Sequence, residues 1–213
     1  GHMFLNFDLE RLIYVVPAII IALTFHEYAH ARIAYAFGDP TAKSEGRMTL
    51  NPLKHLDPIG TLLLIFAGFG WAKPVPINPF YFQGNRKSKM LLVSLGGPIM
   101  NLIEALVGAI CFSLIVHFAP YNVVSNYFFN FFYYFLSINV VLAVFNLLPI
   151  PPLDGSKILG SLLPDKCFRF ILTIERYGFL ILLVLVLFGL TEKILMPPVN
   201  FIINLLLQIT FIS

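Results

Sequence analysis

The chain has 213 residues, of which 58% are hydrophobic and 12% are charged, and its formal net charge is +3. Soluble domains carry about 25% charged residues, so this chain has about half the charge that usually covers a water-exposed surface. The composition therefore excludes an ordinary soluble globular protein. No basic run or aromatic–basic patch indicates a nucleic-acid partner.

Segments without Asp, Glu, Lys or Arg divide the chain into candidate membrane spans. Residues 105–153, 177–191 and 194–213 carry none of these side chains. A helix needs about 20 mostly apolar residues to cross a bilayer. We therefore predict an all-α polytopic membrane protein with about five transmembrane helices plus a membrane re-entrant loop or hairpin. The predicted spans are about 12–37, 89–118, 127–148, 168–190 and 194–211.

The polar stretch after the first span, residues 39–88, contains a short apolar insert at 59–69. This insert is too short to cross the bilayer and has the length of a segment that dips in and returns. We therefore place a re-entrant region at about 46–77. With that topology twelve of the fourteen cations lie on one face, which the positive-inside rule makes cytoplasmic. The N-terminus is then outside and the C-terminus is cytoplasmic.

The first predicted span contains His26-Glu27-Tyr28-Ala29-His30, which is the pattern H-E-x-x-H. Residues four apart share a helix face, so both imidazoles can reach one metal ion. Glu27 is then placed to act as a general base toward water. In a soluble protein the pattern could be two solvated histidines. Inside a hydrophobic helix such groups are costly to bury and are functional by default, which favours a metal site.

A catalytic zinc ion usually has three protein ligands, so a third ligand is expected on another segment. Asp154 is the best of the few acids available, because it follows a proline-rich break after the third predicted span. Broken helix inside a membrane protein is tolerated where it lines a cavity. The predicted topology brings Asp154 and the histidine pair to the same, cytoplasmic side of the membrane.

These residues resemble the motifs of the site-2 proteases, the intramembrane zinc metalloproteases of peptidase family M50. Residues 26–30 match the family's H-E-x-x-H, residues 97–101 match its G-P-x-x-N, and residues 146–155 match its N-x-x-P-x-P-x-L-D-G. The stretches 46–60 and 70–76 look like those of the compact bacterial and archaeal subgroup. On this resemblance we expect a chain without a PDZ or CBS domain.

The resemblance implies that His26, His30 and Asp154 bind one Zn²⁺ per chain and that Glu27 activates the attacking water. It also implies a multi-pass protein of the prokaryotic plasma membrane, with the active site near the cytoplasmic side of the bilayer. The implied substrates are transmembrane proteins or peptides, cleaved in regulated intramembrane proteolysis or in the clearance of signal-peptide remnants. Residues 1–3 are typical of an expression-tag remnant, which leaves 4–213 as a single integral-membrane protease domain.

Four further polar residues have two interpretations each. Asn101 could hydrogen-bond substrate backbone or the developing oxyanion, or it could join two helices beside a pair of glycines. Asn146 presents the same choice, with capping of the broken segment as its structural role. Glu104, one turn after Asn101, could tune the surroundings of the metal or pair with a basic residue. His55 could cover the metal or bind it as an extra ligand, or make an ordinary hydrogen bond.

The non-enzymatic alternative is a metal-binding membrane protein, such as a transporter or a pseudo-protease adaptor. A transporter would need more polar side chains along a path through the membrane, and a pseudo-protease would normally have lost Glu27. The re-entrant stretch Thr61–Phe69 also has two interpretations. It could offer a strand edge to an unwound substrate, or it could be a plug that excludes lipid.

Overall fold

The computed structural model describes residues 9–58, 60, 62, 72–164 and 168–211. In these ranges two short 3-10 helices, Pro52–Lys54 and Pro79–Tyr81, accompany the α-helices, and no β-strand is formed. The prediction of an all-α protein is confirmed. The α-helices are α1 (Leu9–Ala36), α2 (Thr41–Ser44), α3 (Arg86–Phe118), α4 (Val123–Asn146), α5 (Asp154–Leu162), α6 (Phe168–Leu187) and α7 (Leu190–Thr210).

Helices α1, α3, α4 and α7 are long and apolar enough to cross a membrane, so the chain is a multi-pass membrane protein. The remaining predicted span, 168–190, corresponds to α6. Within α6, the range Arg176–Val186 forms an apolar helical stretch.

The long helices begin at residues that cap their free N–H groups. The side chain of Asn85 accepts a hydrogen bond from the backbone N–H of Ser88 at the start of α3. At the start of α4, Asn122 and Ser125 form a reciprocal capping box. Because each cap supplies an acceptor that the first helical turn lacks, these residues fix where the two spans start.

Helices α1, α3 and α4 pack against one another and form the centre of the bundle. Small residues of α3 allow this close approach, since a Cβ at Gly108 would lie 3.1 Å from the backbone nitrogen of Leu136 in α4. Helix α7 packs against both α3 and α4. The shared apolar core of the three helices α3, α4 and α7 consists of Ala105, Ala109, Leu136, Val140, Leu195 and Val199.

The chain between α2 and α3 turns back on itself beside the bundle. Leu56 and Ala72 form an isolated antiparallel bridge, and the backbone N–H of Lys73 donates to the carbonyl oxygen of His55 at 2.8 Å. The chain therefore returns at residue 72 to the place that it left at residue 56. The stretch Thr61–Phe69, apart from Leu62, lies outside the described residues, so its role as a strand edge or a plug stays a prediction.

Candidate metal centre

Helix α1 carries the two histidines of the H-E-x-x-H pattern on its inner face. His26 and His30 are both buried, with exposed fractions of 5% and 4%. Their ring centroids lie 4.7 Å apart, and their Nε2 atoms are separated by 3.1 Å. The spacing of four residues therefore brings the two imidazole nitrogens together, as helix geometry requires.

The other ring nitrogen of each histidine faces an oxygen acceptor on α3. The Nδ1 atom of His30 lies 2.7 Å from the carbonyl oxygen of Val93. The Nδ1 atom of His26 lies 2.6 Å from the side-chain oxygen of Asn101. Because both acceptors require an N–H donor, each Nδ1 carries a proton and each Nε2 is left to bind a cation.

Asp154, the first residue of α5, completes the cluster. Its Oδ2 atom lies 3.1 Å from Nε2 of His26 and 3.0 Å from Nε2 of His30. Two imidazole nitrogens and one carboxylate oxygen are the ligands of many catalytic zinc sites. Zinc bonds of about 2.0 Å at tetrahedral angles would put such atoms roughly 3.3 Å apart, so the three groups fit a zinc ion.

The protonation of Asp154 also suits a cation. Burial raises the pKa of its carboxyl group, but hydrogen bonding to His26 and His30 and their charge outweigh this, so the pKa lies well below its usual range. The carboxyl group is therefore ionised at neutral pH. Ligand atoms that converge in this way need positive charge among them, which either shared protons or a divalent metal ion supplies.

Two glycines leave the room that this cluster needs. A Cβ atom at Gly97 of α3 would overlap the imidazole rings of both His26 and His30. A Cβ atom at Gly155 would overlap the carbonyl oxygens of Leu147 and Leu148, which follow α4. Gly97 thus allows α3 to approach the histidines, and Gly155 allows Asp154 to enter the cluster from the start of α5.

Glu27 lies beside the cluster and is 7% exposed. Its Oε2 atom accepts a hydrogen bond of 2.8 Å from the backbone N–H of Val75. The guanidinium group of buried Arg47 holds the same extended segment, because its Nη2 atom donates to the carbonyl oxygens of Lys73 and Pro74 at 2.8 and 3.3 Å. The orientation of the Glu27 carboxylate is therefore coupled to the position of residues 73–75.

A cavity of about 390 Å³ opens beside these groups. Glu27, Asn146, the three clustered residues and Lys157 supply its polar and charged surface, and Lys157 lies 3.3 Å from Oδ1 of Asp154. Most of the remaining wall is apolar and comes from α1, α4, α6 and the segment 72–77. Its apolar residues include Leu23, Ile77, Leu142, Phe145, Leu182 and Leu183.

The chain is similar to a known protein family and to several known proteins. The model of Peptidase family M50 matches residues 111–188, a range that contains Asp154. A protein of Bacillus subtilis is 44% identical over 202 residues, which cover 92% of this chain and 90% of the relative. The chain belongs to peptidase family M50.

Two more distant members of the family share much of the chain. A protein of Mycolicibacterium smegmatis is 33% identical over 82% of this chain and 67% of its own length. One from Methanocaldococcus jannaschii is 32% identical over 72% of this chain and 73% of its own length. The three relatives bear the name "Putative zinc metalloprotease", followed by YwhC, Rip2 and MJ0611 respectively. No solved structure gives a significant match.

The other predicted site residues of this family M50 member differ in how close they lie to the cluster of His26, His30 and Asp154. Asn101 contacts His26, and both of its amide hydrogens are used, because Nδ2 donates to Asn139 at 2.8 Å and to the Ala22 carbonyl at 3.3 Å. This arrangement favours the helix-joining interpretation of Asn101, since no N–H remains for an oxyanion. Asn146 lines the cavity while its side chain donates to Leu142 within α4.

Glu104 and His55 do not join the ligand cluster. Glu104 is buried in α3, and neither of its carboxylate oxygens has a hydrogen-bond partner among the described residues. His55 is fully buried and does not line the cavity. Its Nε2 atom lies 2.6 Å from the carbonyl oxygen of Thr49. His55 therefore makes a structural contact beside the extended segment.

Several residues of this site are not indicated by any motif in the sequence. Asn139 is fully buried and bonds to Asn101, and a polar residue in the middle of a charge-free span is a signal that could have identified it. Val75, Arg47 and Lys157 carry no comparable signal. Their roles depend on contacts between distant parts of the chain that no local pattern reveals.

Proposed function

We propose that this member of family M50 is a zinc-dependent intramembrane endopeptidase. It hydrolyses peptide bonds within or near the transmembrane segments of other membrane proteins. His26, His30 and Asp154 hold one zinc ion, and Glu27 is the general base. The observation that carries the proposal is that these four residues open together into one largely apolar cavity beside membrane-spanning helices.

The chemistry follows from the placement of Glu27. Zinc, when bound, supplies a Lewis acid that polarises the scissile carbonyl and lowers the pKa of water. Glu27 accepts a proton from the attacking water and returns it to the leaving amine. The N–H of Val75 holds one oxygen of the Glu27 carboxylate, so the base has one defined orientation. Burial strengthens these electrostatic interactions because the surrounding protein has a lower dielectric constant than water.

The apolar wall of the cavity indicates the class of substrate. A peptide bond in a transmembrane helix is shielded because its backbone is internally hydrogen-bonded, so cleavage requires local unwinding. Leu142, Phe145 and Leu183 offer apolar contacts to the side chains of such a segment. Single-pass membrane regulators and signal-peptide remnants are the substrates that we infer.

The distribution of charge supports one orientation in the cell membrane. Twelve of the fourteen cations fall on the side to which α1 leads, and the positive-inside rule makes that side cytoplasmic. Lys157, beside the cavity, is one of them. The N-terminus is then outside, the C-terminus is cytoplasmic, and residues 4–213 act as one integral-membrane protease domain with its site near the cytoplasmic side.

Purified protein in proteoliposomes with a panel of single-span substrates tests the proposal. The wild-type chain should bind about one zinc ion and cleave, and a zinc chelator should stop cleavage until zinc is restored. Glu27→Gln should keep the zinc and lose about 10²- to 10⁴-fold in kcat, the usual contribution of a general base. Substrate fragments measured by mass spectrometry give the rate and the cleavage position.

Glu45→Gln is the matched control, because Glu45 is an exposed acid outside the site and the same chemical change there should leave cleavage intact. Cleavage by Glu27→Gln at the wild-type rate would overturn the role of Glu27. Zinc binding without chelator-sensitive cleavage of any substrate would instead favour a metal-binding transporter or adaptor.

A further inference from the structure

Two buried asparagines connect the metal cluster to the third membrane span. Asn101 of α3 and Asn139 of α4 are both 0% exposed. The Nδ2 atom of Asn101 donates to Oδ1 of Asn139 at 2.8 Å, and Nδ2 of Asn139 donates to the Phe135 carbonyl oxygen at 3.0 Å. The chain of bonds therefore runs from a backbone carbonyl of α4 to the imidazole of His26.

The direction of each bond in this chain is fixed by the acceptor that follows it. The Phe135 carbonyl can only accept, so Asn139 must present its amide nitrogen there and its oxygen to Asn101. Asn101 must then turn its nitrogen toward Asn139 and the Ala22 carbonyl, and its oxygen toward His26. That oxygen requires a proton on Nδ1 of His26, which leaves Nε2 as the atom that binds metal.

We propose that Asn139 is a positioning residue of the metal centre, which acts through Asn101 to fix the proton and the ring orientation of His26. This inference rests on the proposed metal site, and it extends that site from α1 and α3 to α4. His30 needs no such support, because a backbone carbonyl, that of Val93, holds its Nδ1 directly. In the apolar interior each hydrogen bond also polarises the next one, which strengthens the whole series of hydrogen bonds.

Zinc affinity, measured by competition with a chelator, is the first test and does not depend on proteolysis. Asn139→Leu removes the acceptor in a side chain of similar size and should weaken zinc binding about 10-fold, in the range found when outer partners of metal ligands are lost. Asn139→Asp keeps an acceptor oxygen toward Asn101 and should retain most of the affinity. Asn130→Leu is the matched control, because Asn130 lies in the same helix and its side chain, among the described residues, bonds to Asn126.

A double-mutant cycle separates positioning from packing. Asn101→Leu should weaken zinc binding by about 10- to 100-fold. If Asn139 acts through Asn101, adding Asn139→Leu to that variant should cause no further loss, so that the two effects are strongly non-additive. Thermal unfolding in the presence of chelator reports packing alone and identifies a variant that fails to fold.

The outcomes distinguish this inference from the proposed protease activity. Unchanged zinc affinity in folded Asn139→Leu would overturn the positioning role, as would equal losses in Asn139→Leu and Asn139→Asp, or additive losses in the double variant. Wild-type cleavage would stand in each of these cases. Conversely, a chain that binds zinc but cleaves nothing still allows the whole cycle to be measured.

Discussion

The proposed metal centre is assembled from two parts of the molecule that are held in different ways. His26 and His30 come from α1, and contacts between membrane-spanning helices fix them. Asp154 directly follows the irregular segment 147–153, and Val75, which bonds to Glu27, lies within the irregular segment 73–78. Individual hydrogen bonds and close backbone contacts hold these two segments in place. We call these the helical part and the loop part of the site.

The difference shows what each part contributes. Packing of helices gives the histidines little freedom, since α3 supplies both the neighbouring glycine and the two acceptors for Nδ1. Irregular backbone instead leaves room for a cavity between α4, α6 and the segment 72–77. The two histidines thus border a cavity whose wall is largely apolar. Changes in the helical part should therefore affect metal binding, and changes in the loop part should affect turnover as well.

The largest effect is expected from Gly97→Ala in the helical part. The added Cβ atom would overlap both imidazole rings, so zinc binding and cleavage should fall below detection because α1 and α3 must separate. Gly96→Ala is the neighbouring control, where the new Cβ meets the flexible end of the Ile33 side chain. Zinc content measured by mass spectrometry gives the result. Stoichiometric zinc in Gly97→Ala would contradict the close approach of the two helices.

A smaller effect is expected from Gly155→Ala in the loop part. The new Cβ atom would overlap the carbonyl oxygens of Leu147 and Leu148, so the start of α5 must shift and carry Asp154 with it. Displacement of a reacting group by about 1 Å can cost roughly 100-fold in rate. We expect a loss of that order in kcat together with weaker zinc binding. Ser161→Ala, which changes a contact inside α5, should leave both quantities unchanged.

The smallest effect is expected from Arg47→Met, which acts on the segment that holds Glu27. Loss of the two hydrogen bonds to Lys73 and Pro74 should free this segment. A hydrogen bond to a charged group is worth about 1.5–3 kcal/mol, so we expect kcat to fall by about 10-fold while zinc affinity is retained. The exposed Arg32 provides the control Arg32→Met. A parallel loss of zinc would show that the two parts of the site are not separable.

The sequence predicted the parts of this molecule that depend on local patterns. Charge-free segments predicted the long helices, and the spacing of His26 and His30 predicted that their rings lie together on one face of α1.

The contacts of single polar groups could not be predicted in the same way. The choice between two roles for Asn101 depends on where Asn139 lies, and packing of α3 on α4 decides that position. The hydrogen bond between Glu27 and Val75 likewise joins residues 48 positions apart. Local periodicity carries no information on such pairs.

The antiparallel contact between Leu56 and Ala72 has a consequence for how this chain can vary. Its two ends are paired with each other, and the residues that follow are held by hydrogen bonds to Arg47 and Glu27. The entropic cost of closing a loop rises only slowly with its length. We therefore expect the stretch between Leu56 and Ala72 to tolerate insertions and deletions. We also expect relatives to differ in the length of this stretch while residues 72–75 keep their place beside Glu27.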